Sequence, residues 1–298
     1  MSASMKHSPG EQAQIARAYF DTLTVKFQMI DSARASTETE FLGETLRTPI
    51  MTAALSRLGQ VCPNGPVLAA QGALDAGSVM WAGIGSEEEL ESMASTGSKV
   101  VKIVKPYEDE ALIYRKLEHA EKAGMLAVGM DIDFFFGPKR SRGYALGHPV
   151  SPKTSRQLAC YVKAVNLPFI FKGVLSAQDA LRSLEAGAAA IVVSNHGGAV
   201  SDFSAAPLKV LPQIKEVVGG SIPIVVDGAV ESGMDAFKAL ALGADAVCTG
   251  KPIISGLGDG GRDGVAKVLN DFTEELKWAM SVTGAAGIPH IGPDAIVY

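Results

Sequence analysis

From residue 49 onward the chain alternates short, continuous apolar runs with longer amphipathic stretches. Eight runs fall near 49–54, 78–82, 99–104, 126–131, 168–172, 189–194, 222–226 and 245–250. A run without polar alternation suits a strand buried on both faces, as in a parallel sheet covered by helices. Between the runs, apolar residues return at helical spacing. Ile113, Leu117 and Ala120 share one face of a segment that begins with Glu108, Asp109 and Glu110 and stops at Gly124. Acidic residues in a first turn complement the helix dipole.

The pattern repeats. Ser176 to Asn195 and Ser232 to Lys251 align without gaps, with Ser, Asp, Leu, Gly and Ala matching at the structural points. Each copy reads as a capping box (Ser176/Asp179, Ser232/Asp235), an amphipathic helix, a terminal Gly (Gly187, Gly243) and a buried strand. Ser86 to Val104 is a looser copy, with Ser86/Glu89 as its box and Gly97 as its stop. Eight strands in repeating αβ units predict an α/β fold, a closed (β/α)8 barrel over residues 49–298; an open doubly wound sheet is the alternative. Residues 1–48 read as a polar, helical N-terminal extension. Residues 259–283 read as the last helix, with Val265, Val268, Leu269, Phe272 and Leu276 on one face.

Composition narrows the partners. At 47% hydrophobic and 20% charged, the chain has material for a deep core. A net charge of −5 without a long basic block argues against nucleic acid and anionic membranes. Cys62, Cys160 and Cys248 are widely spaced, which suits reduced thiols in a cytoplasmic protein and no metal motif. No run approaches the ~20 apolar residues of a membrane span.

The candidate chemistry stands directly after three of the runs: Lys172-Gly173, then Ser194-Asn195-His196-Gly197-Gly198, then Asp227-Gly228. Strands that end this way deliver a cation, an imidazole and a carboxylate to one sheet edge, where parallel α/β folds place their sites. Each residue also has a plainer reading. His196 can be a satisfied loop residue, and Lys172 a structural partner of Asp131 or Asp133. Arg140, flanked by Lys139 and Arg142, can be a solvated loop cation, and Phe134, Phe135 and Phe136 loop packing. Trp81 either stacks on a ligand or fills the barrel top. No Gly-rich dinucleotide fingerprint follows the first strand, which argues against an NAD site.

The segments FKGVLSAQDALRSLEAGAAAIVVSNHGG and IVVDGAVESGMDAFKALALGADAVCTGKP resemble the FMN-dependent α-hydroxy acid oxidases and dehydrogenases, with VGMDID and HPVSPKT closer to a short bacterial branch. The resemblance implies a TIM barrel with FMN across the C-terminal mouth, a small-molecule substrate and a homo-oligomer, often a tetramer. It makes His196 the base for the substrate hydroxyl, oriented by Asp133, and puts Lys172 at flavin N1/O2. Gly197 and Gly198 then admit the flavin, with Met51, Thr52, Ala53 and Ala54 as an apolar shelf. Asp227, Gly228 and Ala229 with Gly250 and Lys251 take the phosphate side. Trp81, Lys102, Asp131 and Ser194 are further cofactor contacts, and Arg140 takes the place of a carboxylate-binding Arg.

The chain also departs from the family pattern. SNHGGAVSD replaces SNHGGRQLD, so Ala199 stands where an Arg clamps the substrate carboxylate, and Val104 stands where a Tyr is expected. Lys251 replaces an Arg, and Glu231 a phosphate-loop Arg. Four functions follow: an FMN-dependent oxidoreductase acting on a hydroxylated substrate, an FMN-dependent reductase or isomerase, a flavin-binding barrel without the reaction, and a sugar-phosphate barrel enzyme using Lys172. A flavin spectrum excludes the last.

Overall fold

The computed structural model describes residues 11–133, 143–200 and 203–298. Arg140 and the three phenylalanines at 134–136 lie outside the described residues. Eight parallel strands form one sheet: β1 (Ile50–Thr52), β2 (Met80–Ala82), β3 (Val100–Val104), β4 (Ala127–Asp131), β5 (Phe169–Val174), β6 (Ala190–Ser194), β7 (Ile224–Asp227) and β8 (Ala246–Thr249). Their order is β1-β8-β7-β6-β5-β4-β3-β2. Across the remaining seam, Thr52 N–H donates to Val79 O at 3.2 Å, Gly83 N–H donates to Leu55 O at 2.8 Å, and Leu55 bridges to Ala82. The sheet is therefore a nearly closed (β/α)8 barrel, not an open one.

Nine α-helices stand among the described residues: α1 (Glu11–Thr22), α2 (Gly65–Asp75), α3 (Glu87–Ala94), α4 (Glu110–Lys122), α5 (Ser155–Lys163), α6 (Ala177–Glu185), α7 (Pro207–Val218), α8 (Gly233–Ala241) and α9 (Lys251–Val282). Local chemistry sets their starts. Ser86 and Glu89 form the full reciprocal box at α3. Ser176 and Ser232 accept from Asp179 N–H and Asp235 N–H without the reciprocal half, which needs the longer Glu side chain. On α4, Ile113, Leu117 and Ala120 are fully buried, as their spacing requires.

Two regions differ from the sequence reading. The N-terminal extension holds helix α1 and also an antiparallel hairpin, Thr39–Phe41 with Glu44–Leu46. The last helix starts at Lys251, well before residue 259, and its path breaks at Gly260 and Gly261 (φ −149° and 56°).

The core has two layers. One lies between the sheet and the helices. The other fills the barrel, where Met51, Trp81, Ile103, Ile170, Val192 and Val225 interdigitate, and Phe41 and Leu46 of the hairpin close the N-terminal end. The C-terminal mouth is left for polar groups. Strand register brings them level: Lys172 pairs with Asp131 on β4, and Ser194 with Asp227 on β7.

Candidate active site

Lys172 is the centre of a buried charge network. Its Nζ lies 3.1 Å from Asp227 Oδ2 and 3.6 Å from Asp131 Oδ1, and donates to Ser194 Oγ at 3.3 Å. Ser194 Oγ donates to Asp227 Oδ2 at 2.8 Å and accepts the His196 N–H at 3.0 Å. Lys105 Nζ closes the far side, 2.5 Å from Asp131 Oδ2. His196 Nδ1 stands 3.1 Å from both oxygens of Asp133 and 3.7 Å from Asp131 Oδ1.

The backbone is shaped for this contact. The β5–β6 register shifts between Lys172 and Val174, at Gly173. Gly173 has φ +98°, and a Cβ there would stand 2.5 Å from Asp133 Cγ. Any larger residue would push Asp133 off the imidazole. His196 itself has φ 55°, a conformation that costs a side-chain-bearing residue on the order of 1 kcal/mol or more. Strain of this kind persists where its surroundings hold it, here Ser194 on the His196 amide and Asp133 on its ring.

Burial acts against the two central charges, Asp131 and Lys172, and their partners decide the outcome. For Asp131, burial opposes ionisation, but Lys105, His196 and Lys172 outweigh it and hold the carboxyl below its usual range. For Lys172, burial opposes the cation, but Asp227, Asp131 and Asp133 outweigh it and hold the ammonium well above its usual range. Both groups are therefore ionised at neutral pH. Cys248, buried and beside Asp227, has its thiol pushed up and stays protonated. The ligand-type atoms of Asp131, Asp133 and His196 lie within 4.8 Å of one another, with Lys105 and Lys172 supplying the cations at Asp131.

A cleft of about 510 Å³ opens over this network. Of the residues expected at a cofactor, Ala53, Ala54, Lys172, His196, Gly197, Gly198, Asp227, Gly228, Ala229, Gly250 and Lys251 line it. Ser194 and Asp131 stand behind the lining and act through Lys172 and His196. Met51 and Trp81 do not reach it. Both are fully buried inside the barrel, where Trp81 Nε1–H donates to Met51 Sδ at 3.3 Å and its ring packs 6.3 Å from Phe41. Thr52 is also buried, its Oγ1 accepting Trp81 N–H at 2.9 Å across the barrel seam. Lys102 turns away to the β2–β3 rim and donates to Gly83 O at 2.5 Å. Burial, aided by Lys116 and Lys105 and opposed by Glu89, brings its pKa down to about 8.

Other residues reach the site without having been singled out. Lys105 follows the apolar run of β3, the same signal that marked Lys172. Ala13 and Ala16 of α1 also line the cleft, an i, i+3 pair of small residues on one helix face. Helix α1 is clamped there by Arg17, which donates to Ala229 O at 2.8 Å and to the Asp235 carboxylate at 2.5 and 2.7 Å. Asn195 and Cys248 complete the polar lining. At the edge, Lys251 Nζ stands 3.5 Å from Glu231 Oε1. Ala199 lines the cleft, and Val104 is buried at the end of β3.

Comparison with known proteins places this geometry. The sequence profile of a family described as FMN-dependent dehydrogenase matches residues 7–164 and 154–298. A 2-hydroxyacid oxidase of Dictyostelium discoideum is 30% identical over 316 residues, covering 95% of this chain and 81% of its own length. An L-lactate oxidase of Lactobacillus jensenii is 32% identical over 286 residues, covering 86% of this chain and 70% of its own. Among solved structures, a mandelate oxidase carrying a monooxide FMN adduct superposes with a TM-score of 0.87 at 27% identity, covering 98% of this chain and 92% of that one.

Proposed function

The chain belongs to the FMN-dependent dehydrogenase family and is an FMN-dependent oxidoreductase, and from that premise we propose that it oxidises a small hydroxylated substrate with His196 as the base. The residues present fit the cofactor. The cleft has an alanine side at Ala53 and Ala54, a buried cation at Lys172, and a glycine turn at 197–198 that leaves its floor bare. FMN, when bound, supplies the two-electron acceptor.

The observation that carries the reading is the double contact of Asp133 with His196 Nδ1. A carboxylate there keeps the proton on Nδ1, so Nε2 carries the lone pair that accepts the substrate hydroxyl proton. The surrounding charge favours that step. Asp133 at 3.1 Å and Asp131 at 3.7 Å from Nδ1 stabilise the positive charge that His196 gains with that proton. Lys172 places a fixed cation beside the cleft floor, where negative charge on the cofactor is stabilised.

Substrate anchoring is a separate proposal. Ala199 supplies no guanidinium to a carboxylate, so we propose a substrate, or a substrate pose, in which the carboxylate contributes little binding. Anaerobic mixing with lactate, glycolate and mandelate, each beside its neutral amide, tests this. Loss of the oxidised-flavin absorbance should be as fast with the amides as with the acids. Ala199→Arg should then favour the acids by about ten- to a hundredfold, the value of a charge-assisted pair of roughly 1.5–3 kcal/mol. Rapid bleaching by wild-type protein with lactate and none with lactamide overturns the anchoring proposal and leaves the oxidation intact. Reduction by NAD(P)H alone, with no hydroxylated compound active, would favour a reductase. We further propose a cytoplasmic homo-oligomer, a tetramer being the family-like arrangement.

A further inference from the structure

Asn195 is buried to 2% exposure at the end of β6, and among the described residues neither its Oδ1 nor its Nδ2 has a hydrogen-bond partner. An orphaned buried amide is expensive, because both its donor and its acceptor have lost water without replacement. Its backbone is already used: Asn195 O accepts Gly198 N–H at 3.0 Å, which forms the turn beneath the cleft. The side chain is thus not needed for that turn. Asn195 lines the cleft, and its buried amide lies beside the Asp227–Gly228 exit of β7, with Oδ1 3.0 Å from where a Cβ on Gly228 would stand. Gly228 has φ +115° and no side chain to answer the amide.

We propose that the Asn195 amide is a binding group for the polyol chain of FMN, gripping a ribityl hydroxyl with Oδ1 and Nδ2 together. The inference rests on FMN as the resident cofactor and extends it to a residue that the turn itself does not explain. The chemistry selects the ligand group. An amide with both ends unmet needs a partner that donates and accepts, which a hydroxyl does. A phosphate only accepts, so it would leave Oδ1 unmet. The pyrimidine edge of the flavin also donates and accepts, and the comparison with lumiflavin, which keeps that edge and lacks the polyol, separates the two.

Flavin titration of the apoprotein, read by quenching of flavin fluorescence, separates these sources. Asn195→Ala should weaken both FMN and riboflavin by roughly tenfold or more and leave lumiflavin, which lacks the polyol, unchanged. Because the variant removes an unmet amide, the apoprotein should melt at the same temperature as wild type or higher. Asn195→Ser, which returns one hydroxyl, should fall between the two and guards against a folding defect in the alanine variant. Unchanged riboflavin affinity in either variant overturns the proposal, as does an equal loss for lumiflavin, which assigns the amide to the ring. A loss confined to FMN assigns it to the phosphate and also overturns it. Wild-type apoprotein that binds no flavin at all would instead refute the cofactor, a result distinguishable from all of these.

Discussion

The two sides of the barrel mouth are built from the same αβ unit and end in opposite chemistry. Around β4 to β7 the strand ends present Asp131, Lys172, Ser194 and Asp227, joined by contacts of 2.8 to 3.6 Å. Around β1 and β2 they present Ala53, Ala54 and a buried Trp81. The charged side is not held by burial, which opposes both Asp131 and Lys172, but by compensation from their partners. The apolar side is held by packing and needs no compensation. A barrel thus tolerates chemistry on one side of its mouth because the other supplies ordinary core. The comparison predicts that substitutions on the charged side act on reaction and stability together, while those at the rim act on one alone.

The largest effect should come from His196→Ala. Losing a positioned base costs about 10²- to 10⁴-fold in the rate of flavin reduction. The variant should still bind FMN, because Lys172 and the glycine turn remain. Stopped-flow reduction with an active substrate measures it. Undiminished reduction would dissolve the functional contrast between the two sides.

Lys172→Met comes next and tests compensation. Removing one partner of a buried ion network costs about 3–5 kcal/mol of stability, with Asp227 left most exposed to the loss. Reduction should slow further, by about 2–4 kcal/mol in the chemical step. Lys172→Met with Asp227→Asn should recover most of the stability and none of the rate. If the double variant is no more stable than the single one, compensation does not hold this side together. The pH dependence has a definite sign. Asp131, depressed in the folded state, contributes stability above its unfolded pKa of ~3.9 that is lost as pH falls toward the folded value. Lys172, raised in the folded state, contributes below its unfolded pKa of ~10.4, and loses that contribution as pH rises through the folded value.

The same contrast marks what the sequence makes legible. Strand positions are visible because strands buried on both faces read as unbroken apolar runs. Lys172, His196 and Asp227 are visible because ionisable residues interrupt the pattern where a run ends. Trp81 is not, because inward and outward positions look alike in such a strand, and only the structure shows it pointing into the barrel against Phe41. The N-terminal extension reads as polar and helical, but the docking of α1 on the mouth through Arg17 depends on Asp235, 218 residues away. The early start of α9 is hidden by Gly256 and Gly258, which fall before the expected helix of residues 259–283 although they continue it, whereas Gly260 and Gly261, inside that range, break its path.

Lys102 offers a rim test with the opposite sign. It is a buried lysine that donates to a carbonyl, and its pKa is depressed to about 8. Between that value and ~10.4 the unfolded chain holds more protons, so this group makes stability rise with pH across the window. At pH 7 it is therefore a liability, and Lys102→Met should stabilise the protein by about 1–3 kcal/mol after the loss of its bond to Gly83 O. The gain should fade towards pH 10, as read by urea unfolding at both pH values. A destabilised variant would mean that Lys102 is compensated as Lys172 is, and the contrast between site and rim would fail there.

The smallest effect belongs to the cleft edge, where Glu231 stands 3.5 Å from Lys251 and both are largely solvated. Exposed pairs of this kind are worth about 0–1 kcal/mol, so removing the carboxylate should barely change folding. Its effect should appear in binding. If Lys251 and the 227–229 turn receive the FMN phosphate, Glu231 competes for the cation and repels the ligand. Glu231→Gln should then tighten FMN a fewfold, in keeping with about 0.5–1 kcal/mol, and added salt should shrink the difference because the pair is screened. Riboflavin has no phosphate to be repelled, so its affinity should not move. An equal gain for riboflavin would place the effect of Glu231 on the shape of the cleft and remove the phosphate from this edge of the mouth.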